Sequence, residues 1–288
     1  MSNATETVEL KATATWEGSL KLVNYSRARL LGGWYVAEYR LRNMGKWIAA
    51  IIAFGLGNPI LYLLSIGLGI GTLVDKAAGP NAVDGVSYLV FLAPALLATA
   101  AIQGAMDETS FPTLEGFVWE KTFFGMNSTL LTARNIVDGI IIASFVRCVL
   151  TSVLYLGVLF AFGATSLAAA PGLILSSIFA GMAFAAVMLA VTSYVKEDDG
   201  FFAIVGRFII APMFMFSGTF YPIDSIPIYF QWFGWISPLW HATEIGRNLS
   251  YGHPIEPWLL VVHYVYLAAM LVAGMLFAYR QFSRRLAK

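Results

Sequence analysis

Residues 47–73 read WIAAIIAFGLGNPILYLLSIGLGIGTL, and this uncharged stretch decides the fold class. A helix needs about 20 predominantly apolar residues to cross the hydrocarbon core of a bilayer. The stretch exceeds that length, and much of the remaining chain has the same apolar character. The sequence therefore predicts an all-α integral membrane protein.

The composition of the whole chain supports this prediction. Of its 288 residues, 58% are hydrophobic and 12% are charged, and the mean hydropathy is +0.71. Soluble domains contain about 25% charged residues, so soluble enzyme classes are excluded. A net charge of +1 gives no field that would attract nucleic acid as a partner. The single cysteine, Cys148, excludes a disulfide within the chain, and the three histidines lie too far apart in sequence to indicate a metal cluster.

Six stretches are long and apolar enough to cross the membrane. We predict transmembrane helices at residues 47–73, 86–106, 137–162, 164–195, 201–221 and 258–279. Pro171 and Gly172 are expected to mark the entry of the fourth helix. The chain then divides into a leader, residues 1–46, and a six-span domain, residues 47–288.

The basic residues predict the orientation, because they remain on the cytoplasmic side of a membrane protein. Six crossings place most of them on the side that holds both termini, namely Lys11, Lys21, Arg27, Arg29, Arg40, Arg42, Lys46, Lys121, Arg134, Lys196, Arg280, Arg284, Arg285 and Lys288. Only Lys76 and Arg247 fall on the other side. We therefore predict a multi-pass protein of the cytoplasmic membrane with both termini in the cytoplasm.

The end of the leader has the pattern of an amphipathic helix. Apolar side chains recur at alternating spacings of four and three, at Leu30, Trp34, Ala37, Leu41, Met44 and Ile48. Arg29, Arg40 and Asn43 fall on another face. Such a helix would lie along the cytoplasmic headgroups. The alternative is a basic flank that only sets the topology.

The second loop, residues 107–135, is the longest connection on the cytoplasmic side. It contains more aromatic residues than a solvated loop needs, at Phe117, Trp119, Phe123 and Phe124. A short helix that exposes them would suit a cleft on another protein. The alternative is that these side chains enter the headgroup region.

The segment at residues 222–257 is too apolar for an exposed outer loop and too interrupted by proline for a further span. We predict a pair of short helices that dip into the outer leaflet. Glu244 and Arg247 stand three residues apart and are expected to pair on one of them. His263, in the last span, is expected to be a hydrogen-bonded core residue.

Arg147 lies about 15 Å into its predicted span at the helical rise. An ionisable residue at that depth is a functional hypothesis, although the sequence offers no acidic residue inside another span as its partner. The alternative is that Arg147 reaches back to the cytoplasmic face, as we expect for Arg207.

No phosphate-binding loop of the form Gly-x-x-x-x-Gly-Lys-Ser/Thr occurs in the chain. The zinc-protease pattern His-Glu-x-x-His and the hydrolase pattern Gly-x-Ser-x-Gly do not occur either. The sequence therefore indicates a path or a platform rather than an enzyme.

Three stretches resemble the six-span permease subunits of ABC-2 type exporters, closest to the NodJ-like branch of nodulation-factor exporter permeases and related to daunorubicin-type drug-export permeases. They are Phe91–Ala100, then Trp119-Glu120-Lys121-Thr122 with Met126 and the following residues to Ile136, and finally Phe216–Pro222 through Pro227 to Pro238-Leu239-Trp240-His241 and Arg247. The family usually has proline after Thr129, where this chain has Leu130.

The resemblance implies a fold and an assembly. Residues 107–135 would hold a coupling helix that contacts a separate ATPase subunit, through Phe117, Trp119, Glu120, Lys121, Phe123, Phe124 and Met126. Residues 222–257 would be a re-entrant helical pair that closes the outer end, with Pro222, Pro238, Trp240, His241, Glu244 and Arg247 as the outer gate. The leader would be an interfacial connecting helix. Two permeases would form a dimer in membrane lipid, and ATP and Mg²⁺ would bind only the ATPase, so that this chain carries no cofactor.

The resemblance leaves the substrate open between a lipid-linked saccharide, glycolipid or lipo-oligosaccharide and a hydrophobic drug. Two other classes are a membrane transferase that uses His241 and Glu244 at the outer interface, and a scaffold that transports nothing. The outer segment either gates the exit or only seals the dimer against lipid.

Overall fold

A computed structural model of the chain describes residues 30–79, 83–197 and 200–287. The predictions for leader residues 1–29, with Lys11, Lys21, Arg27 and Arg29, and for Lys288 lie outside these ranges. The described residues form helices and no β-strand, apart from one isolated bridge between Val83 and Val86.

The helices follow one another with short connections. In chain order they are α1 (Gly32–Lys46), α2 (Ile48–Tyr62), α3 (Gly71–Ala78), α4 (Tyr88–Thr109), α5 (Phe111–Phe117), α6 (Thr122–Asn127), α7 (Ala133–Ala161), α8 (Ala170–Thr192), α9 (Phe201–Val205), α10 (Ala211–Phe216), α11 (Ile228–Ile236), α12 (Pro238–Tyr251) and α13 (Pro257–Leu286). Wide π-helical stretches join α2 to α3 and α9 to α10, at Leu63–Ile70 and Gly206–Ile210.

Within the described ranges, five helical segments are long and apolar enough to cross a membrane. They are Ile48–Ala77, Tyr88–Phe117, Ala133–Ala161, Ala170–Thr192 and Pro257–Leu286. The segment predicted to cross at residues 201–221 forms a shorter apolar helix, Phe201–Phe216. A sixth crossing at that place stays a prediction.

Local chemistry sets several helix ends. α8 begins at Ala170, with Pro171 in its first turn, as the sequence predicts. α7 begins one turn earlier than expected, because Thr132 and Asn135 form a reciprocal capping box. The helix predicted to reach residue 221 ends at Phe216, and Gly218 follows with a φ of +72° that favours glycine.

Helix α8 lies at the centre and packs against α4, α7, α12 and α13. Small residues allow this close packing. A Cβ atom at Gly274 of α13 would lie 2.6 Å from the backbone of Ala186, and one at Gly181 would lie 3.0 Å from the carbonyl oxygen of Ala101. The buried Cys148 packs at the same place, with Sγ 3.4 Å from that oxygen.

The leader helix α1 crosses α7 at glycines. A Cβ atom at Gly139 would lie 2.4 Å from Cβ of Val36 and 2.8 Å from the carbonyl oxygen of Gly33. Trp34, assigned to the apolar face, is exposed on the outside of the bundle, where the headgroups would cover it. Arg40, assigned to the polar face, is buried instead, and this part of the prediction is wrong.

Candidate functional site

An open groove of about 690 Å³ runs along the bundle between four helical segments. Its walls come from α2, α4, α7 and the Gly206–Phe214 part of the short apolar helix. Most of the lining is apolar, including Ile51, Phe54, Leu96, Ile210 and Phe214. Its volume lies in the range typical of ligand sites, about 300–1,000 Å³. At one end, the ring of Tyr62 meets that of Phe214 edge to face at 5.7 Å.

The opposite end of the groove is polar, and Arg147 lies there. Its Nη2 donates to Oδ2 of Asp107 at 3.1 Å, and Gln103 Nε2 donates to the other carboxylate oxygen at 3.1 Å. The expectation that no acidic partner exists is therefore wrong. Asp107 was assigned to the loop, but α4 continues to Thr109, so the carboxylate remains on a wall of the groove.

Directly beyond this end, a buried ion pair ties the leader helix to the junction of α4 and α5. The guanidinium of Arg40 donates to Oε1 of Glu108 at 2.9 Å, to the Glu108 carbonyl at 2.7 Å and to the Pro112 carbonyl at 2.9 Å. Both side chains are about nine-tenths buried, with exposed fractions of 6% and 10%. No pattern in the sequence predicted this contact.

The expected coupling segment folds into α5 and α6, with Lys121 in the left-handed conformation between them. The expectation that its aromatic residues are exposed is wrong for two of them. Phe117 and Phe123 are buried and pack on Phe282 of α13, with ring centroids 4.7 and 5.9 Å away. The guanidinium of Arg285 lies 4.1 Å above the Phe117 ring. These side chains form a small core shared between the segment and α13.

The remaining members of the set present an edge to the outside. Trp119 is 54% exposed, and Glu120 and Lys121 beside it are exposed as well. Phe124 and Met126 are half-buried. A partner protein would therefore meet Trp119, Glu120 and Lys121 first, because the buried rings cannot reach it without unfolding the segment.

At the other end of the molecule, the predicted pair of Glu244 and Arg247 is confirmed. Arg247 is almost fully buried and donates to Oε1 of Glu244 at 3.0 Å. It also donates to the Gly218 carbonyl at 2.6 Å and lies 3.8 Å above the ring of Phe91. Arg247 thereby fastens α12 to α4 and to the turn after α10.

The network continues through residues that sequence analysis did not single out. Nδ1 of His253 lies 2.7 Å from Oδ1 of Asp84, and its Nε2 lies 3.4 Å from Oε2 of Glu244. Tyr251 donates to the second oxygen of Asp84 at 2.6 Å. The hydrogen bond to Glu244 raises the pKa of His253 above its ordinary value; burial opposes this rise and the charges of Glu244 and Asp84 add to it.

His263 is a fully buried, hydrogen-bonded residue, as predicted. Its Nδ1 lies 2.7 Å from Nδ1 of His241, whose Nε2 lies 3.0 Å from the Trp235 carbonyl. A carbonyl only accepts, so His241 Nε2 is the donor and, in the neutral pair, His263 donates to His241. Trp240 packs edge-on against His263 at 4.8 Å. His241 and Glu244 bind different partners and do not form a common site, which counts against a transferase.

The two prolines assigned to the outer gate begin local helices. Pro222 precedes a short 3₁₀ turn, Ile223–Ser225, and Pro238 is the first residue of α12. The hydroxyl of Ser237 caps α12 by accepting from the Leu239 amide at 3.1 Å. The outer segment therefore consists of α11 and α12 joined at this cap.

Comparison with known proteins identifies the family of this chain. Residues 41–251 match the family described as "ABC-2 type transporter". The chain belongs to the ABC-2 type transporter family. It is 32% identical over 225 residues to nodulation protein J of Rhizobium leguminosarum bv. viciae, covering 77% of this chain and 83% of that protein. It is 30% identical over 240 residues to nodulation protein J of Rhizobium meliloti (strain 1021), covering 80% and 87%.

Membership of the ABC-2 family confirms the resemblance seen in the sequence. The chain is a multi-pass integral membrane protein and a transport subunit rather than a catalytic enzyme. The family implies an ABC ATPase as its partner. The roles of the groove, of the 119–121 edge and of the outer network in this ABC-2 chain are proposals.

Proposed function

We propose that the chain is the transmembrane subunit of an ATP-binding cassette exporter that moves an amphipathic substrate outward across the cytoplasmic membrane. A separate ATPase subunit would bind ATP and Mg²⁺ and supply the energy. The observation that carries this proposal is the groove, which is apolar along most of its length and polar at the end nearest α5 and α6.

The shape and chemistry of the groove support an amphipathic substrate. Arg147 and Tyr155, at its two ends on α7, lie about 12 Å apart at the helical rise. An apolar wall of that length suits a hydrocarbon chain, and the polar end suits a headgroup. A lipid-linked saccharide, glycolipid or lipo-oligosaccharide has both parts. A hydrophobic drug, the alternative, would leave the polar end unused.

The groove is open on one side, and we propose that a second copy of the chain closes it. α2 forms one wall, yet other apolar side chains of this helix face outward, among them Ile52 at 38% and Leu61 at 66% exposed. Lipid would cover such a surface in a monomer. In a homodimer the two grooves would face each other and enclose one path.

The position of α5 and α6 supports their role in coupling. The ion pair of Arg40 and Glu108 joins α1, α4 and α5 at one point, which lies beside the polar end of the groove. A rigid displacement of the 119–121 edge by an ATPase would therefore move the groove wall and the leader helix together.

Co-purification tests the coupling. Trp119→Ala, or the charge reversal Lys121→Glu, is expected to lower recovery of the ATPase subunit and substrate-stimulated ATP hydrolysis by about tenfold, because a central exposed Trp dominates many interfaces. Trp258→Ala, which removes a 66% exposed Trp at the start of α13, serves as the control. Full recovery of a stimulated complex with both edge variants would refute the coupling role.

Cysteine labelling tests the orientation. In a Cys148→Ala background, a cysteine at Ser225 is expected to react with an impermeant maleimide in intact cells, and one at Glu120 is not. Both positions are exposed, so accessibility within the protein does not confuse the comparison. The reverse labelling pattern would invert the topology.

We further propose that the outer segment gates the exit. The motivation is the polar network of Glu244, Arg247 and His253, which a simple apolar seal would not need. In a gate, His253→Gln would change transport per assembled complex at normal assembly. In a seal, the same substitution would change assembly and leave transport per complex at the wild-type value.

A further inference from the structure

The polar end of the groove is built from two helices and carries balanced charge. Asp107 and Gln103 belong to α4, and Arg147 belongs to α7. The carboxylate accepts one hydrogen bond from each neighbour, at 3.1 Å in both cases. Among the described residues that line the groove, Asp107 and Arg147 are the charged ones. The other polar lining residues are neutral: Asn58, Tyr62, Thr99, Gln103, Thr151 and Tyr155.

The pair retains hydrogen-bonding capacity toward the groove. The side chain of Asp107 is 47% exposed, whereas that of Arg147 is 13% exposed, so the acceptor faces the open space and the donor lies behind it. Nε of Arg147 is buried, without a hydrogen-bond partner among the described residues, so only the terminal N–H groups of the guanidinium are available to the groove. A guanidinium has five N–H groups, and a carboxylate has about four acceptor positions, so neither is exhausted by the contacts they make.

We propose that Asp107 and Arg147, with Gln103, bind the polar end of the transported substrate, and that this end is an uncharged headgroup rich in hydroxyl or amide groups. This inference rests on the proposed export function and adds the chemical class of the substrate. The apolar part of the substrate lies against Phe54, Ile51 and Phe214 along the groove.

The balance of charge selects a neutral headgroup. An anionic headgroup would compete with Asp107 for Arg147 and leave the carboxylate without its partner at the edge of the hydrocarbon, which is costly. A cationic headgroup would do the same to Arg147. A hydroxyl both donates and accepts, so it adds hydrogen bonds to Asp107 and Arg147 without separating them.

The proposed headgroup site lies next to the junction of α4 and α5, where Arg40 and Glu108 pair. Asp107 lines the groove, and the adjacent Glu108 binds Arg40 on another face of α4. A headgroup bound to Asp107 therefore contacts the same helical turn that holds the leader helix and begins the α5–α6 segment.

Alkyl ligands that differ only in their headgroup test the proposal. The full chain in phosphatidylcholine nanodiscs is titrated, below micellar concentrations, with dodecyl maltoside, dodecyl phosphate and dodecyltrimethylammonium, and binding is followed by native mass spectrometry. We expect the maltoside to bind at least about tenfold more tightly than either charged ligand, the gain typical of one or two hydrogen bonds to charged groups.

Matched variants identify the residues. Asp107→Asn with Arg147→Gln removes both charges at nearly constant volume and is expected to weaken maltoside binding about tenfold. Glu38→Gln with Arg42→Gln removes an ion pair of the leader helix that is exposed and outside the groove, and is expected to change nothing. If the Asp107 and Arg147 double variant does not fold, two other measurements test the proposal. Gln103→Leu should weaken maltoside binding, and the wild-type chain should bind the maltoside more tightly than the two charged ligands.

Equal binding of the three ligands, preference for a charged one, or unchanged maltoside binding in the Asp107 and Arg147 variant would overturn the proposal. The assay uses the permease without an ATPase. Failure to recover an ATPase complex would therefore refute the export function and leave the headgroup ranking as a separate result.

Discussion

Substituting Arg40 by Met tests whether the leader helix is held to the bundle by one buried ion pair. The Met side chain keeps much of the apolar stem of Arg40 and removes three hydrogen bonds, to the Glu108 carboxylate and to two backbone carbonyls. It also leaves Glu108 buried without its cation.

Removing one partner of a buried ion pair costs about 3–5 kcal/mol. The cost falls on the docking of α1, because Arg40 is the contact between α1 and the α4–α5 junction. At about 1.4 kcal/mol per tenfold change, the population of molecules with α1 released rises by about two to three and a half orders of magnitude.

Limited proteolysis measures this population. Trypsin cleaves after Arg42 and Lys46 of α1, and in the regime of fast reclosing the cleavage rate follows the population of the open form. Arg42→Met is not a suitable control because it removes a cleavage site. Glu38→Gln serves as the control instead, because it disrupts only the exposed pair with Arg42. That pair is worth about 0.3–0.5 kcal/mol.

The cleavage rate at Lys46 is therefore expected to rise by at least about a hundredfold in Arg40→Met and by less than about threefold in Glu38→Gln. Glu108→Gln in the Arg40→Met background should restore part of the protection, because it removes the unpaired charge. An Arg40→Met rate within about threefold of the wild type would refute this account of the junction.

Three further substitutions test other contacts. Gly139→Ala should loosen α1, because its Cβ would lie 2.4 Å from a neighbouring Cβ, whereas Gly157→Ala, with no atom within 4 Å, should not; tryptic cleavage of α1 compares them. Phe123→Ala should lower the free energy of unfolding by about 3–5 kcal/mol, and the half-buried Phe124→Ala by clearly less, in detergent denaturation. The raised pKa of His253 means that its imidazolium stabilises the outer network below its ordinary pKa, about 6.5, and that this stability is lost as pH rises through the raised pKa; the pH dependence of thermal unfolding should flatten in His253→Gln.

The membrane-spanning helices could be predicted from the sequence because their requirement is local. A crossing helix must be apolar over its own length, so residues 47–73 reveal it without knowledge of any other segment. The same reasoning placed Glu244 and Arg247 correctly, since residues three apart share a helix face.

Contacts between distant segments could not be predicted in this way. Phe117 and Phe123 were expected to face a partner because composition does not show that Phe282 fills the space beside them. His253 and Asp84 are separated by 169 positions, and nothing in the sequence between them indicates that they meet. The sequence offered no partner for Arg147 because the predicted second span ended at Met106, one residue before Asp107.

The predicted sixth crossing, by the short apolar helix Phe201–Phe216, would make bilayer thickness part of the energetics of this protein. Its 16 residues extend about 24 Å at the helical rise, about 6 Å less than the hydrocarbon core. In the segment that follows, α11 carries exposed aromatic side chains, Tyr229, Trp232 and Trp235, of the kind that settle at the boundary with the headgroups. Hydrophobic mismatch costs fractions of a kcal/mol per Å, so lipids with shorter acyl chains favour this arrangement and longer ones oppose it.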